Sequence, residues 1–422
     1  MLRLLHTADW HLGHTLHDLP RDAEHDAFLA WLLDQVQVHA VDALLIAGDV
    51  FETANPPASA MHRWYRFLAT ARSRFPALDL VAVGGNHDSA ARLDAAHPLL
   101  RDLRLHVIGG LPRDEAGGLD LERLVVPLTD AGGEPAAWVA AVPFLRPADL
   151  PVVDPDLADG ADPLVAGVRT LYGQILDHAR TQRRSGQALL AMGHCYMVGG
   201  ALSELSERKV LGGNQHALPA SVFPADLAYV ALGHLHRAQS VGGRAGVRYS
   251  GSPIPLAVDE AAYPHQVRLL ELEGDRLSRC EALRVPRTVP VLRLPESGPA
   301  PWEQVEPLLA QLPAAQGDRG TWPYLEVRVA LPGPMPTLRP QVEQALSDRG
   351  VRLVRLAVTR GGDGQGLADG GERRELGELR EEDVLRRKWQ RDYEDDPPDD
   401  VLACFHELLD RLGQADPAEG AA

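Results

Sequence analysis

The chemistry-bearing residues of this chain fall into five short clusters: Asp9 and His11 in DWH, Asp49 in GDVFE, Asn86 in GNHD, His194 in GHC, and His234 with His236 in GHLH. Together they offer imidazole, carboxylate and amide donors, a mixture that suits Mn²⁺, Fe²⁺ or Zn²⁺ better than Mg²⁺ or Ca²⁺. Two divalent ions about 3.5–4 Å apart can clamp the attacking and leaving oxygens of an in-line displacement at phosphorus. A carboxylate must then bridge them, and Asp49 on its tight turn is the natural bridge. Asp9 and His11 are two apart on an extended turn, so they point to one side and can serve one ion. His234 and His236 share that spacing, with Leu235 turned into the core. Asn86 adds a neutral oxygen, which limits the negative charge a phosphate anion must approach. His87 is the candidate general acid for the leaving alkoxide, and Asp88 the candidate group that orients its imidazole.

Taken singly, the clusters are weak. DxH occurs by chance in many chains, and GDVFE is also what a strand and a turn look like. GNHD and GHLH are more specific, and all five in this order argue for a metal site. His6, His14, His25, His39, His106, His178 and His216 read as surface or satisfied polar residues. Cys195 next to His194 does not make a nucleophile pair, because neighbours on a strand point to opposite faces.

Each cluster follows a short apolar run, over residues 2–5, 41–47, 80–84, 188–192 and 229–232. Such runs suit strands buried on both faces, and ligands on the turns after them can meet in one crevice. Helical periodicity over 22–40 and 59–74 separates the first three. Repeated β-α-β units imply a largely parallel core sheet with helices on its faces. Shorter strand-like segments at 124–128, 137–142 and 247–250 suggest a second sheet packed on the first.

The pattern changes near Pro286. Residues 289–358 read β-α-β-α-β, a small α+β domain. Gly361 to Gly371 reads as a flexible linker; no strand-to-helix context frames it as a phosphate cradle. Two amphipathic helices follow, over 375–393 and 399–412. Leu385 and Trp389 mark one apolar face, and Val401, Phe405 and Leu408 the other. Such a pair has too little core to stand alone, so it is expected to dock on a partner surface; the alternative is docking back onto its own chain. The expected organisation is a domain over 1–285, a capping domain over 286–360, a linker over 361–374, a helical pair over 375–412 and a tail over 413–422.

At 422 residues the chain is too long for one compact core. Its 45% hydrophobic and 24% charged residues are ordinary for a globular protein. Three cysteines at no ligand spacing fit a reducing cytosol. No signal peptide or membrane span is evident in the sequence, so the expectation is a cytoplasmic protein with no membrane partner. The net charge of −17 argues against broad affinity for nucleic acid. A local basic strip or bound cations can still offset phosphate charge.

The five clusters resemble the signature of the calcineurin-like metallophosphoesterases. LLHTADWHLGH, EHDAFLAWLL, VDALLIAGDVFETANPP, GNHDS, YVALGHLHRAQ and RYSGSPIPL are similar to the SbcD family, the nuclease subunits of bacterial SbcCD complexes. That resemblance implies an α/β fold: a metallophosphoesterase β-sandwich flanked by helices, a small capping domain and a C-terminal helical pair. It implies a homodimer that processes DNA ends and hairpins, as a 3′-to-5′ exonuclease on duplex and an endonuclease on single strands. Mn²⁺ is the implied metal, an SbcC-like SMC-type ATPase the implied partner, and the nucleoid the implied location. By position, Asp9, His11, Asp49 and His236 correspond to the ligands of one ion, and Asp49, Asn86, His194 and His234 to those of the other. His87 corresponds to the catalytic histidine. Glu52 stands where related archaeal and eukaryotic nucleases have a second catalytic histidine.

Two other readings compete. A phosphodiesterase of small diesters accounts for the metal site but leaves the small domain and tethered helices unexplained. A scaffold without catalysis conflicts with the presence of all seven ligands and His87.

Overall fold

The computed structural model describes residues 1–151, 162–201, 217–360, 389, 397–398 and 401–402. Met1–Val329 and Thr337–Ala357 form one compact unit; Ala330–Pro336 and Val358–Ala422 form a second.

Two six-stranded sheets dominate the first unit. In spatial order, the first comprises Arg276–Arg284, Gln266–Glu273, Leu2–Thr7, Ala43–Ala47, Asp79–Val83 and Leu105–Ile108. Its last four strands are parallel neighbours, and an antiparallel hairpin closes the other edge. The second sheet runs Gln239–Ser240, Val247–Tyr249, Tyr229–Gly233, Ala188–His194, Pro135–Ala141 and Val125–Thr129.

Burial on both faces makes the first sheet's strands continuously apolar. Along them, side chains alternate with period two. Leu4, Leu45, Val81 and Val83 join the core shared with the second sheet. Leu5, Leu44, Ile46, Leu80 and Ala82 join another core with the helices Asp22–Val38 and Ala58–Arg74. On the second sheet, Pro163–Gln182 contributes Leu171, Tyr172, Ile175 and Leu176 to the shared core. A helix–sheet–sheet–helix sandwich results.

Three expectations need correction. The first helix stops at Val38, because Ala40 has a left-handed φ of 46° that ends it. The second begins at Ala58, one residue early. More consequentially, the five ligand-bearing strands do not share one sheet. Those ending near Asp9, Asp49 and Asn86 lie in the first sheet, and those carrying His194 and His234 in the second.

Beyond Pro286 the elements are Val291–Leu294, Trp302–Ala310, Tyr324–Leu331, Leu338–Ala345 and Arg352–Arg360, in the expected β-α-β-α-β order. The strands form one sheet with Tyr324–Leu331 central. No helix among the described residues is long and apolar enough to cross a membrane.

Candidate metal centre

Trp10 explains why the first cluster turns as it does. Its indole is fully buried against Phe28, Trp64 and Phe67, with ring centroids 5.6, 5.9 and 5.1 Å away. The indole N–H donates to Thr7 Oγ1 at 2.9 Å, and the Trp10 carbonyl lies 2.9 Å from His25 Nε2. Anchoring the middle residue inward leaves Asp9 and His11 for the site. The turn is not extended, however: Asp9 and His11 adopt φ of 55° and 48°. The left-handed backbone, not strand alternation, brings them to one side. Asp49 has φ of 50° as well. The two turns run side by side, with Asp9 N–H donating to Gly48 O at 3.0 Å and His11 N–H to Asp49 O at 3.0 Å.

The two sheets approach closely here. A Cβ on Gly48 would collide with the His194 ring, and one on Gly233 with the Ala47 carbonyl. Only glycine lets the backbones pass at that separation.

The donor atoms of the predicted ligands gather into two groups, Asp9–His11–His236 and Asp49–His194–His234, and His11 also belongs to a third with Glu52 and His87, each group with its atoms within 4.8 Å of one another. Asp49 Oδ2 faces the first two, lying 3.2 Å from His194 Nε2 and 3.6 Å from His11 Nε2. Asn86 Oδ1 lies 3.0 Å from His194 Nε2 and 2.9 Å from His234 Nδ1. All seven predicted ligands therefore converge, and His234 and His236 separate into different groups.

A cation fits this arrangement. Asp9 Oδ2 and His11 Nε2 are buried with no hydrogen-bond partner among the described residues, a state that costs free energy unless something else completes it. His194 Nδ1 faces the Ala47 carbonyl at 2.9 Å, while its Nε2 faces two oxygens. With an acceptor at each nitrogen, the ring needs either a second proton or a cation beside Nε2. In the metal-free protein the proton prevails. Burial pushes the His194 pKa down, but the Asp49 and Asp9 carboxylates and the Ala47 carbonyl together raise it to about 9. Asp49 shows the counterpart: burial pushes its carboxyl up, and His194 with His11 holds it well below the usual range. Burial, reinforced by the neighbouring His194 charge, depresses His234 to about 3. Asp9 is raised, chiefly by burial.

Carboxylates behind the rings fix their orientation. His11 Nδ1 lies 2.9 Å from Glu52 Oε2, and His236 Nδ1 lies 2.8 Å from Glu260 Oε1. Each turns Nε2 toward the centre. Glu52 thus contacts His11 directly. Glu260 carried no sequence signal, since it lies outside every cluster and meets His236 only through the fold.

His87 sits at the edge, half-buried, with its ring centroid 4.8 Å from that of His11. Its backbone N–H donates to Asp49 Oδ1 at 2.9 Å, and its Nδ1 lies 2.7 Å from the Glu52 carbonyl oxygen. Asp88 does not hold this ring, which corrects the sequence expectation. Its buried carboxylate accepts backbone N–H groups from Gly85 at 2.8 Å, Val50 at 3.0 Å and Phe51 at 2.9 Å. Asp88 ties the Asn86 turn to the Asp49 turn, and the Glu52 carbonyl takes the orienting place.

Outside the centre, His6 and His25 are buried, with His6 Nδ1 against the Tyr229 hydroxyl and His25 Nε2 against the Trp10 carbonyl, while His6 Nε2 and His25 Nδ1 have no hydrogen-bond partner among the described residues. Burial pushes the Cys195 thiol up to about 12, leaving no thiolate for nucleophilic work. Of the predicted partner-binding residues, Trp389 and Val401 are half-buried in helical backbone; Leu385, Phe405 and Leu408 lie outside the described residues.

The profile of the calcineurin-like phosphoesterases matches residues 2–238. The SbcD protein of the SbcCD nuclease from Rhodobacter capsulatus is 43% identical over 362 residues, covering 85% of this chain and 88% of the relative. The chain belongs to this SbcD family of calcineurin-like phosphoesterases. Two further SbcD proteins agree. That of Escherichia coli is 37% identical over 69% of this chain and 70% of its own length. That of Bacillus subtilis is 33% identical over 78% and 80%. A second profile, described as the type 5 capsule protein repressor C-terminal domain, matches residues 287–393. As an SbcD-family member the chain is a metal-dependent phosphodiesterase.

Proposed function

We propose that this chain is the nuclease subunit of an SbcCD-type complex, cleaving DNA phosphodiesters with two divalent ions, Mn²⁺ foremost. The observation that carries the reading is Asp49, whose Oδ2 lies between the two donor groups. Asp9, His11, Asp49 and His236 would hold one ion, and Asp49, Asn86, His194 and His234 the other. Such a pair supplies charge stabilisation at the attacking and leaving oxygens.

The chain's own groups do the rest. The glycine-lined contact between the sheets holds both donor groups in register. Neutral Asn86 keeps the centre from repelling a phosphate. His87, with Nδ1 held against the Glu52 carbonyl, is placed to deliver a proton from Nε2 to the leaving oxygen. Asp88 is a positioning residue in this scheme, not an acid or base.

The resemblance supports DNA ends and hairpins as substrate, with 3′-to-5′ exonuclease action on duplex and endonuclease action on single strands. It also supports a homodimer, a nucleoid location and an SbcC-like SMC-type ATPase partner that supplies much of the DNA affinity this acidic chain lacks. The organisation proposed is a nuclease domain over 1–285, a capping domain over 286–360, a linker, and a partner-binding helical pair over 375–412.

Digestion of end-labelled duplex and hairpin DNA with Mn²⁺, with and without the ATPase, tests the proposal. Wild type should cut, and Asp49→Ala should lose both cutting and bound metal. Efficient cleavage of small diesters with no action on DNA would overturn it.

A further inference from the structure

We propose that Tyr324, on the small three-stranded sheet, is a positioning residue for the metal ligand His236. The proposal rests on the two-ion reading above and adds a route by which the small sheet tunes one ion site.

The route is a buried series of hydrogen bonds. Tyr324 O–H donates to Glu24 Oε2 at 2.9 Å. Glu24 is gripped by the Arg21 fork, with Nη2 at 2.6 Å from Oε1 and Nε against Oε2. Arg21 Nη1 donates to the Pro255 carbonyl at 2.7 Å. The N–H of the same peptide group, on Leu256, donates to Glu260 Oε2 at 2.7 Å. Glu260 Oε1 lies 2.8 Å from His236 Nδ1. Arg21, Glu24, Glu260 and Tyr324 are each at most 3% exposed.

Three features make this more than a packed joint. One peptide unit is held from both ends, its carbonyl by Arg21 and its N–H by Glu260, so a shift of Arg21 reaches Glu260 through rigid covalent geometry. Bidentate pairing fixes the plane of the guanidinium as well as its position. Two guanidiniums lie over the Tyr324 ring, Arg21 at 5.0 Å and Arg352 at 4.1 Å from its centroid, which restrains where its hydroxyl points. Glu260 then sets the direction in which His236 presents Nε2.

The effect should be one-sided. His194 and His234 are held by the Ala47 carbonyl and Asn86, on turns of the two large sheets. None of the hydrogen bonds named in the Tyr324 route is made by them.

Mn²⁺ titration of the metal-free full-length protein, followed by calorimetry and electron paramagnetic resonance, tests the proposal without reference to cleavage. His234→Ala identifies the step belonging to the Asp49–His194–His234 group. Glu260→Gln should weaken the other step about 10- to 100-fold, the usual effect of removing a partner behind a ligand. Tyr324→Phe, more remote, should weaken that same step about three- to tenfold and leave the first unchanged. In the Glu260→Gln background, Tyr324→Phe should add nothing. The NMR resonance of the His236 Nδ1 proton should also move in metal-free Tyr324→Phe, a readout that needs no ion. An unchanged titration, equal weakening of both steps, effects that multiply in the double variant, or an unmoved resonance would each overturn the proposal. Uptake of fewer than two ions by wild type would overturn the two-ion reading itself, a result separable from these.

Discussion

Loading Mn²⁺ into the metal-free protein at different pH values asks what occupies the centre beforehand. His194 is the group to follow. Its pKa near 9 means that at pH 7 about 99 of 100 copies carry a proton, which an incoming ion must displace. Two pH units correspond to about 2.7 kcal/mol, so the affinity of the Asp49–His194–His234 group should rise about tenfold per pH unit from 7 toward 9. His234, depressed to about 3, is neutral throughout and contributes no proton. Burial raises Asp9, and the Glu52 and Asp49 carboxylates, against burial, raise His11, both in the other donor group.

The folded pKa of His194 lies above its unfolded value of 6.5. Its stabilisation of the metal-free fold is therefore complete below about pH 6.5 and lost as pH climbs through about 9. The span of about 2.5 units corresponds to roughly 3 kcal/mol. Calorimetric Mn²⁺ titration at pH 7, in two buffers of different ionisation enthalpy, counts the protons released. Melting of the chelated protein between pH 6.5 and 9.5 reads the stability term. Release of no proton at pH 7, together with a pH-independent melting temperature, would show that His194 is neutral and the reasoning wrong.

His87→Ala should retain both ions while turnover falls about 10²–10⁴-fold; loss of metal along with activity would make His87 a ligand. Asp88→Ala leaves three buried N–H donors without their acceptor, each costing about 1–3 kcal/mol. Its melting temperature and Mn²⁺ affinity should drop together, and a variant that melts like wild type but turns over slowly would return Asp88 to the imidazole. Truncation at Gly371 should leave a metal-loaded nuclease active on short single strands that no longer co-purifies with the ATPase; undiminished co-purification would place the docking surface elsewhere.

Much of the centre was legible because each ligand sits where an apolar run breaks. Period and burial expose those breaks, and Asp9, Asp49, Asn86, His194 and His234 all follow strands that are apolar on both faces. What stayed hidden depends on which strands share a sheet. A run buried on both faces reads alike in either layer, so the division of ligands between two sheets left no trace in the pattern. Asp88 misled for a related reason. Adjacency to His87 suggested contact, yet the backbone turns its carboxylate toward the N–H of Gly85 on its own turn and those of Val50 and Phe51 on the Asp49 turn. Glu260 and Tyr324 were invisible because their partners are far away in sequence and no local periodicity marks a buried acid.

The division between sheets has a mechanical side. Asp49 belongs to one layer and His194 to the other, so any ion seated between them staples the layers together across a long stretch of chain. Like a disulfide closing a large loop, such a staple restricts the unfolded chain as well as adding bonds to the folded one. It also sits where left-handed turns at Asp9, His11 and Asp49 hold conformational tension. Metal content and the cohesion of the sandwich thus become one variable. Removing the ions should therefore lower the melting temperature of the sandwich as well as stop turnover.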